Sequence, residues 1–125
     1  MAYEELEKTR VYVEAAEFAD LIWEDVMQWG DFARDTIGKQ FVRAADSIGA
    51  NTAESYGRYH WSDKLNFLYY ARGSLYECKH WLVRGLRRKL YDQATFDERY
   101  ARLQNLAVTM NAYIKDKRQM RNQAK

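Results

Sequence analysis

The sequence predicts an all-α fold, an antiparallel up-down-up-down four-helix bundle. Three observations carry that prediction. The chain has 125 residues and no proline, so no helix interior loses a backbone donor or is kinked by ring clash. Apolar residues recur every three or four positions in four separate stretches. No stretch shows the strict alternation of a strand, and no internal repeat or low-complexity linker divides the chain. At this length one domain with one continuous core is expected over residues 1–125.

The first helix is expected from about Glu4 to Gln28, where Val11, Ala15, Phe18, Ile22, Val26 and Trp29 form one stripe. Gly30 offers a left-handed residue to end it, and Asp31 or Asp35 a side-chain oxygen to start the next helix. The second helix, about 36–58, lines up Ile37, Phe41, Ala44, Ile48, Thr52 and Tyr56 despite glycines at 38 and 49. Ser62 is the expected N-cap of a third helix over 63–89, whose near-heptad stripe is Leu68, Ala71, Leu75, Cys78, Leu82 and Leu86. Thr95 and Glu98 form a capping-box pattern before a fourth helix over about 96–118. Phe96, Tyr100, Leu103, Ala107, Met110 and Ile114 are its apolar positions, and a polar tail beyond it is expected to fray. The short connections imply the up-down-up-down order.

Charge is divided along the chain. Residues 1–35 hold ten acids and three bases, whereas the remainder holds seventeen bases and eight acids. The bases concentrate at Arg84, Arg87, Arg88 and Lys89 and in a tail with Lys115, Lys117, Arg118, Arg121 and Lys125. One half of the chain is therefore suited to polyanions, unless the acidic first helix neutralises its basic neighbours.

Several function classes are disfavoured. Asp20, Glu24 and Asp25 interrupt the most apolar stretch, so no segment reaches the roughly 20 apolar residues that span a bilayer. The single cysteine, Cys78, cannot form an internal disulfide, and the stretch from Met1 to Lys8 is acidic rather than leader-like; a reducing cytoplasm is expected. Glu77-x-x-His80 has metal-ligand spacing, but no second such pair exists and the other histidine, His60, lies at a helix break. Cys78 sits on the apolar stripe and reads as core. No glycine-rich phosphate loop follows a strand. No catalytic residue, metal or cofactor is expected, and the chain reads as a non-enzyme.

The run Gln40-Phe41-Val42-Arg43-Ala44-Ala45-Asp46-Ser47-Ile48-Gly49-Ala50-Asn51-Thr52-Ala53-Glu54-Ser55-Tyr56-Gly57-Arg58-Tyr59-His60 is unusually small and polar for a bundle helix. Ser47, Asn51 and Glu54 recur at helical spacing, and Arg72, Ser74 and Glu77 are available on the facing helix; a buried polar network that fixes register is expected. This run, with Phe67-Leu68-Tyr69-Tyr70-Ala71-Arg72-Gly73-Ser74-Leu75-Tyr76-Glu77, closely resembles the signature of the four-helix-bundle proteins called 23S ribosomal RNA intervening-sequence proteins. The two motifs read as the family's "RAA-SI-AN-AE-YGR" and "FL-ARGSL-E" patterns, and the resemblance covers about residues 10–115. A more distant relative is the accessory variability determinant protein of diversity-generating retroelements. The resemblance implies a homopentameric, barrel-like assembly of antiparallel bundles with a basic surface, a nucleic-acid-binding role and no enzymatic activity. Gly49, Thr52 and Ser55 depart from the proline, isoleucine and glycine common in the motif, and the Thr52 hydroxyl needs a partner such as the carbonyl one turn earlier.

Four tryptophans and ten tyrosines exceed what the seams of one small bundle require, so Tyr59, Trp61 and Tyr69 are candidates for a subunit interface. The candidates for phosphate contact are Arg43, Arg58, Arg72, Arg84, Arg87, Arg88, Lys89, Lys115, Lys117 and Arg118. The expected function is a homo-oligomer that binds RNA or DNA without reading bases. The alternative is a protein–protein adaptor with no direct nucleic-acid role.

Overall fold

A computed structural model describes residues 2–124, leaving Met1 and the tail residue Lys125 outside the described residues. The helices are α1 (Ala2–Lys8), α2 (Arg10–Met27), α3 (Asp31–Ala33), a π-turn (Arg34–Gly38), α4 (Lys39–Gly57), α5 (Trp61–Arg87) and α6 (Gln93–Ala124). No strand occurs among the described residues. Four long rods, α2, α4, α5 and α6, make the bundle, and each packs against its neighbours in the cycle α2–α4–α5–α6–α2. Cross-links show that neighbours run antiparallel. Glu5 pairs with Tyr56, and Gly38 faces Val26. Arg72 and Lys79 of α5 meet Asn111 and Gln104 of α6 in reverse order, as do Glu14 and Asp25 of α2 with Thr109 and Arg99.

The apolar stripes meet in one core. Phe18, Ile22, Phe41, Ile48, Leu68, Leu75, Leu82, Leu103, Met110 and Ile114 are all buried, joined by Leu65 and Leu106, which complete the stripes on α5 and α6. Thr52 is fully buried, and its hydroxyl donates to the Ile48 carbonyl at 2.8 Å, which satisfies it one turn back.

The helix ends depart from expectation. The first rod breaks at Thr9, which is extended, so α1 and α2 are separate. Gly30 has φ −64° and is the N-cap of α3, while α2 ends at Met27; neither Asp31 nor Asp35 caps by side chain, and Asp31 instead pairs with Arg34 at 3.1 Å. The second rod therefore begins at Asp31, ahead of the expected start, and absorbs a π-turn. His60, not Ser62, precedes the first turn of α5. The left-handed residue is Lys89, with φ 63°. The Leu90 amide donates to the Gly85 carbonyl at 2.8 Å and the Lys89 amide to Leu86 at 3.1 Å, a Schellman closure that stops α5 at Arg87. Asp92 rather than Thr95 caps the last helix, its Oδ1 accepting from the Thr95 amide at 2.7 Å. That helix runs on to Ala124 instead of fraying after Arg118.

A polar latch closes the bundle at the α5–α6 connection. Arg99 of α6 grips Asp25 of α2 with Nε and Nη2 at 2.8 and 2.9 Å, and the Tyr91 hydroxyl donates to the same carboxylate at 2.7 Å. The two charged side chains are only 16% and 12% exposed, and the Tyr91 ring lies edge-on to Trp29. A Cβ on Gly85 would stand 2.8 Å from the Tyr91 ring, so a side chain there would displace the latch.

Candidate nucleic-acid interface

The antiparallel seam between α5 and α6 brings cations and rings into one row. Tyr69, Arg72, Tyr76 and Lys79 follow each other on α5 at spacings of three, four and three, which places them on one side of the helix. Opposite them α6 presents Arg118, Asn111, Gln104 and Tyr100 in reverse order. Arg118 Nε donates to the Tyr69 hydroxyl at 3.0 Å. The guanidinium carbons of Arg118 and Arg72 lie 5.4 and 5.3 Å from the Tyr69 ring centre. Arg72 Nη1 donates to Asn111 Oδ1 at 3.3 Å, and Lys79 Nζ to Gln104 Oε1 at 2.9 Å. Lys79 also lies 5.0 Å from the Tyr76 ring and 5.9 Å from Tyr100.

The partners of these three cations are neutral. Among the described residues no carboxylate pairs with Arg72, Lys79 or Arg118, so their charge faces rings and amides and stays available to an anion. Tyr76 is 56% exposed. From Tyr69 to Lys79 the row extends about 15 Å along the helix axis, at roughly 1.5 Å per residue.

At the same end of the bundle a cleft of about 290 Å³ is lined by Ser55, Tyr56, Trp61, Lys64, Tyr113 and Lys117. Lys64 Nζ caps the end of α4 by donating to the Tyr56 carbonyl at 3.1 Å, and the Ser55 hydroxyl donates to the Lys64 carbonyl at 2.7 Å. Burial, reinforced by nearby Lys117, lowers the Lys64 pKa. Lys117 itself lies 4.7 Å from the Tyr113 ring and 3.7 Å from Asp116.

Of the ten basic residues singled out in the sequence, the structure brings Arg72 and Arg118 together on Tyr69, with Lys117 on the neighbouring cleft. Arg58 is partly neutralised by Glu54 at 3.0 Å and lies over Phe67 at 4.6 Å. Arg43 is elsewhere, in a groove of about 500 Å³ between α2 and the start of α4 that also holds Trp23, Met27, Arg34, Lys39 and Val42. Arg84, Arg87, Arg88 and Lys89 sit at the far end of α5, where it turns toward α6, and Lys115 is exposed on α6. Antiparallel packing thus separates two basic groups that composition alone makes one. Lys79, Tyr76, Asn111 and Gln104 were not singled out, and Tyr100 only as an apolar position of the last helix, although the three-four-three spacing on α5 was available to find the first two.

The expected cross-helix polar network does not form among the described residues. Ser47 donates to the Arg43 carbonyl at 2.7 Å and Asn51 to the Ser47 carbonyl at 2.9 Å, each within its own helix. Glu54 turns to Arg58, and exposed Glu77 accepts from Trp81 Nε1 at 3.0 Å; half-buried Ser74 makes no hydrogen bond with any of them. Ser47 and Asn51 are short enough to reach the backbone carbonyl one turn back, and Glu54 and Glu77 find side-chain partners one turn along their own helices. Tyr59 is 89% exposed and lies edge-on to His60, Trp61 is half-buried beside Lys64, and Tyr69 is half-buried next to Arg72 and Arg118. No group of three or more His, Cys, Asp or Glu is arranged to hold a metal among the described residues. Cys78 is buried, and burial, followed by the charges of Glu77 and Asp46, raises its pKa far from the thiolate range. Among the described residues no helix is long and apolar enough to cross a membrane.

Comparison with known proteins draws on both sequence and fold. The family model described as 23S rRNA-intervening sequence protein matches residues 7–112. Among solved structures, the chain is similar to a protein of unknown function from the S23 ribosomal protein family of Bacteroides thetaiotaomicron. The two are 23% identical with a TM-score of 0.75, covering 84% of this chain and 95% of that one, which shows a shared fold. No curated protein matches.

Proposed function

Because the chain belongs to the 23S rRNA-intervening sequence protein family, we propose that it is a non-enzymatic homo-oligomer, in pentameric form, that binds nucleic acid through its basic surfaces in a reducing cytoplasm. The observation that carries this reading is the α5–α6 row, where Arg72, Lys79 and Arg118 keep their charge beside rings and amides with no carboxylate partner among the described residues. Such cations release counterions when they meet phosphates, and the contacts carry no sequence information. The similar fold described as belonging to a ribosomal protein family favours RNA as the first ligand to try. Repetition of the row around a closed ring would sum weak contacts into avidity.

The test is solution mass by light scattering with and without a short RNA across a salt series. A mass near five chains that gains RNA at low salt and sheds it at high salt is the expected result. Three phosphates per chain give a logarithmic salt slope of about −2 for a single strand. A pentamer that ignores RNA at every salt would remove the nucleic-acid half of the reading, and a monomer would remove the assembly half.

A second reading has its own observation. The groove beside the π-turn exposes Trp23 (55%) and Met27 (53%), with Phe32 (82%) close by in sequence, which is apolar surface suited to a protein partner. In an adaptor, Arg72→Glu with Arg118→Glu would leave partner capture intact, whereas a Trp23→Ala change would abolish it.

A further inference from the structure

We propose that the row between α5 and α6 is a track for single-stranded nucleic acid, in which bases stack on Tyr69, Tyr76 and Tyr100 while Arg72, Lys79 and Arg118 hold the phosphates between them. This rests on the nucleic-acid reading above and names its ligand class. The order of side chains is the argument. A surface that only neutralises phosphates needs cations, yet here every cation lies 5.0 to 5.9 Å from a ring, so rings and charges alternate along one line. That alternation matches the two things a single strand exposes and a duplex does not expose together, base faces and backbone. A duplex would present only its phosphates and leave the rings without a partner.

Burial accounts in part for Tyr69 and Tyr100, which are half-buried with one side packed against the core, but not for Tyr76. Tyr76 is 56% exposed, and Lys79 is the partner found for its ring. Tyr69 and Tyr76 are about 10 Å apart along the axis, roughly three nucleotides of a stacked strand at about 3.4 Å each. Arg72 lies between them. Asn111 and Gln104 accept from Arg72 and Lys79 through their oxygens, and their amide NH₂ groups donate to no protein acceptor among the described residues. Those donors remain for base edges or phosphate oxygens.

The experiment is fluorescence anisotropy on the full chain with labelled oligouridylate, labelled oligothymidylate and a labelled duplex, each of about a dozen nucleotides. The two single strands are expected to bind alike, and both at least about tenfold more tightly than the duplex. Tyr76→Leu, an exposed position whose change leaves the helical signal and thermal midpoint in place, should weaken single-strand binding at least about fivefold without altering the salt slope or the duplex affinity. Arg72→Gln with Arg118→Gln should instead flatten the salt slope by about 1.4. Equal or tighter duplex binding, or full single-strand affinity in Tyr76→Leu, would overturn the track while leaving general phosphate binding standing. Failure of the unaltered chain to bind any of the three probes would overturn both.

Discussion

Lys89 carries the one left-handed backbone found at a non-glycine residue among the described residues, with φ 63°. Its Cβ pays a steric cost that glycine avoids, so Lys89→Gly is expected to raise stability by about 1 kcal/mol, read by chemical denaturation. Asp92 makes a complementary case at the next helix. The Thr95 amide and hydroxyl hold its carboxylate below the usual range. A carboxylate with a depressed folded pKa stabilises the fold above its unfolded pKa and loses that contribution as pH falls through the folded value. Asp92→Ala should therefore lower the thermal midpoint at neutral pH, and the gap should close on acidification.

At the scale of elements, the stripes were legible and the stops were not. Val11 to Val26, Phe41 to Thr52, Leu68 to Leu82 and Leu103 to Ile114 all face the core as their spacing requires. Periodicity reports burial, and burial dominates the choice of face. Ends depend on single hydrogen bonds. At the α5–α6 connection, Lys89 takes a left-handed turn that no glycine marks and Asp92 caps in place of Thr95, where the chain brings Tyr91 edge-on to Trp29. The candidate site shows the same division. Arg72 and Arg118 could be named from composition, but their meeting on Tyr69 needed the antiparallel register of α5 and α6. Gly85 marks that connection. Adding a methyl gains about 1 kcal/mol of helix propensity but drives a Cβ to 2.8 Å from the Tyr91 ring. Gly85→Ala is thus expected to be net destabilising by about 1 kcal/mol, and combining it with Tyr91→Ala should restore the helix gain.

For the whole molecule, the acidic α2 is set among cations from other elements, with Arg34, Lys39 and Arg43 along one groove and Arg99 of α6 on Asp25. The rods join mostly through neighbours in sequence, since α4 packs on α5 and α5 on α6 across short turns. Asp25 and Arg99 differ, bonding across 74 residues of chain. Contacts of such separation form after the local hairpins, because loop closure must be met before they reward it. Arg99→Met strands the Asp25 carboxylate in a nearly closed site and should cost about 3 kcal/mol. That loss belongs almost wholly to one limb of the kinetics: stopped-flow mixing should find unfolding faster by about a hundredfold and refolding within about twofold of the unaltered chain. The latch is then a brake on opening, setting how long a folded chain lasts rather than how quickly it is made.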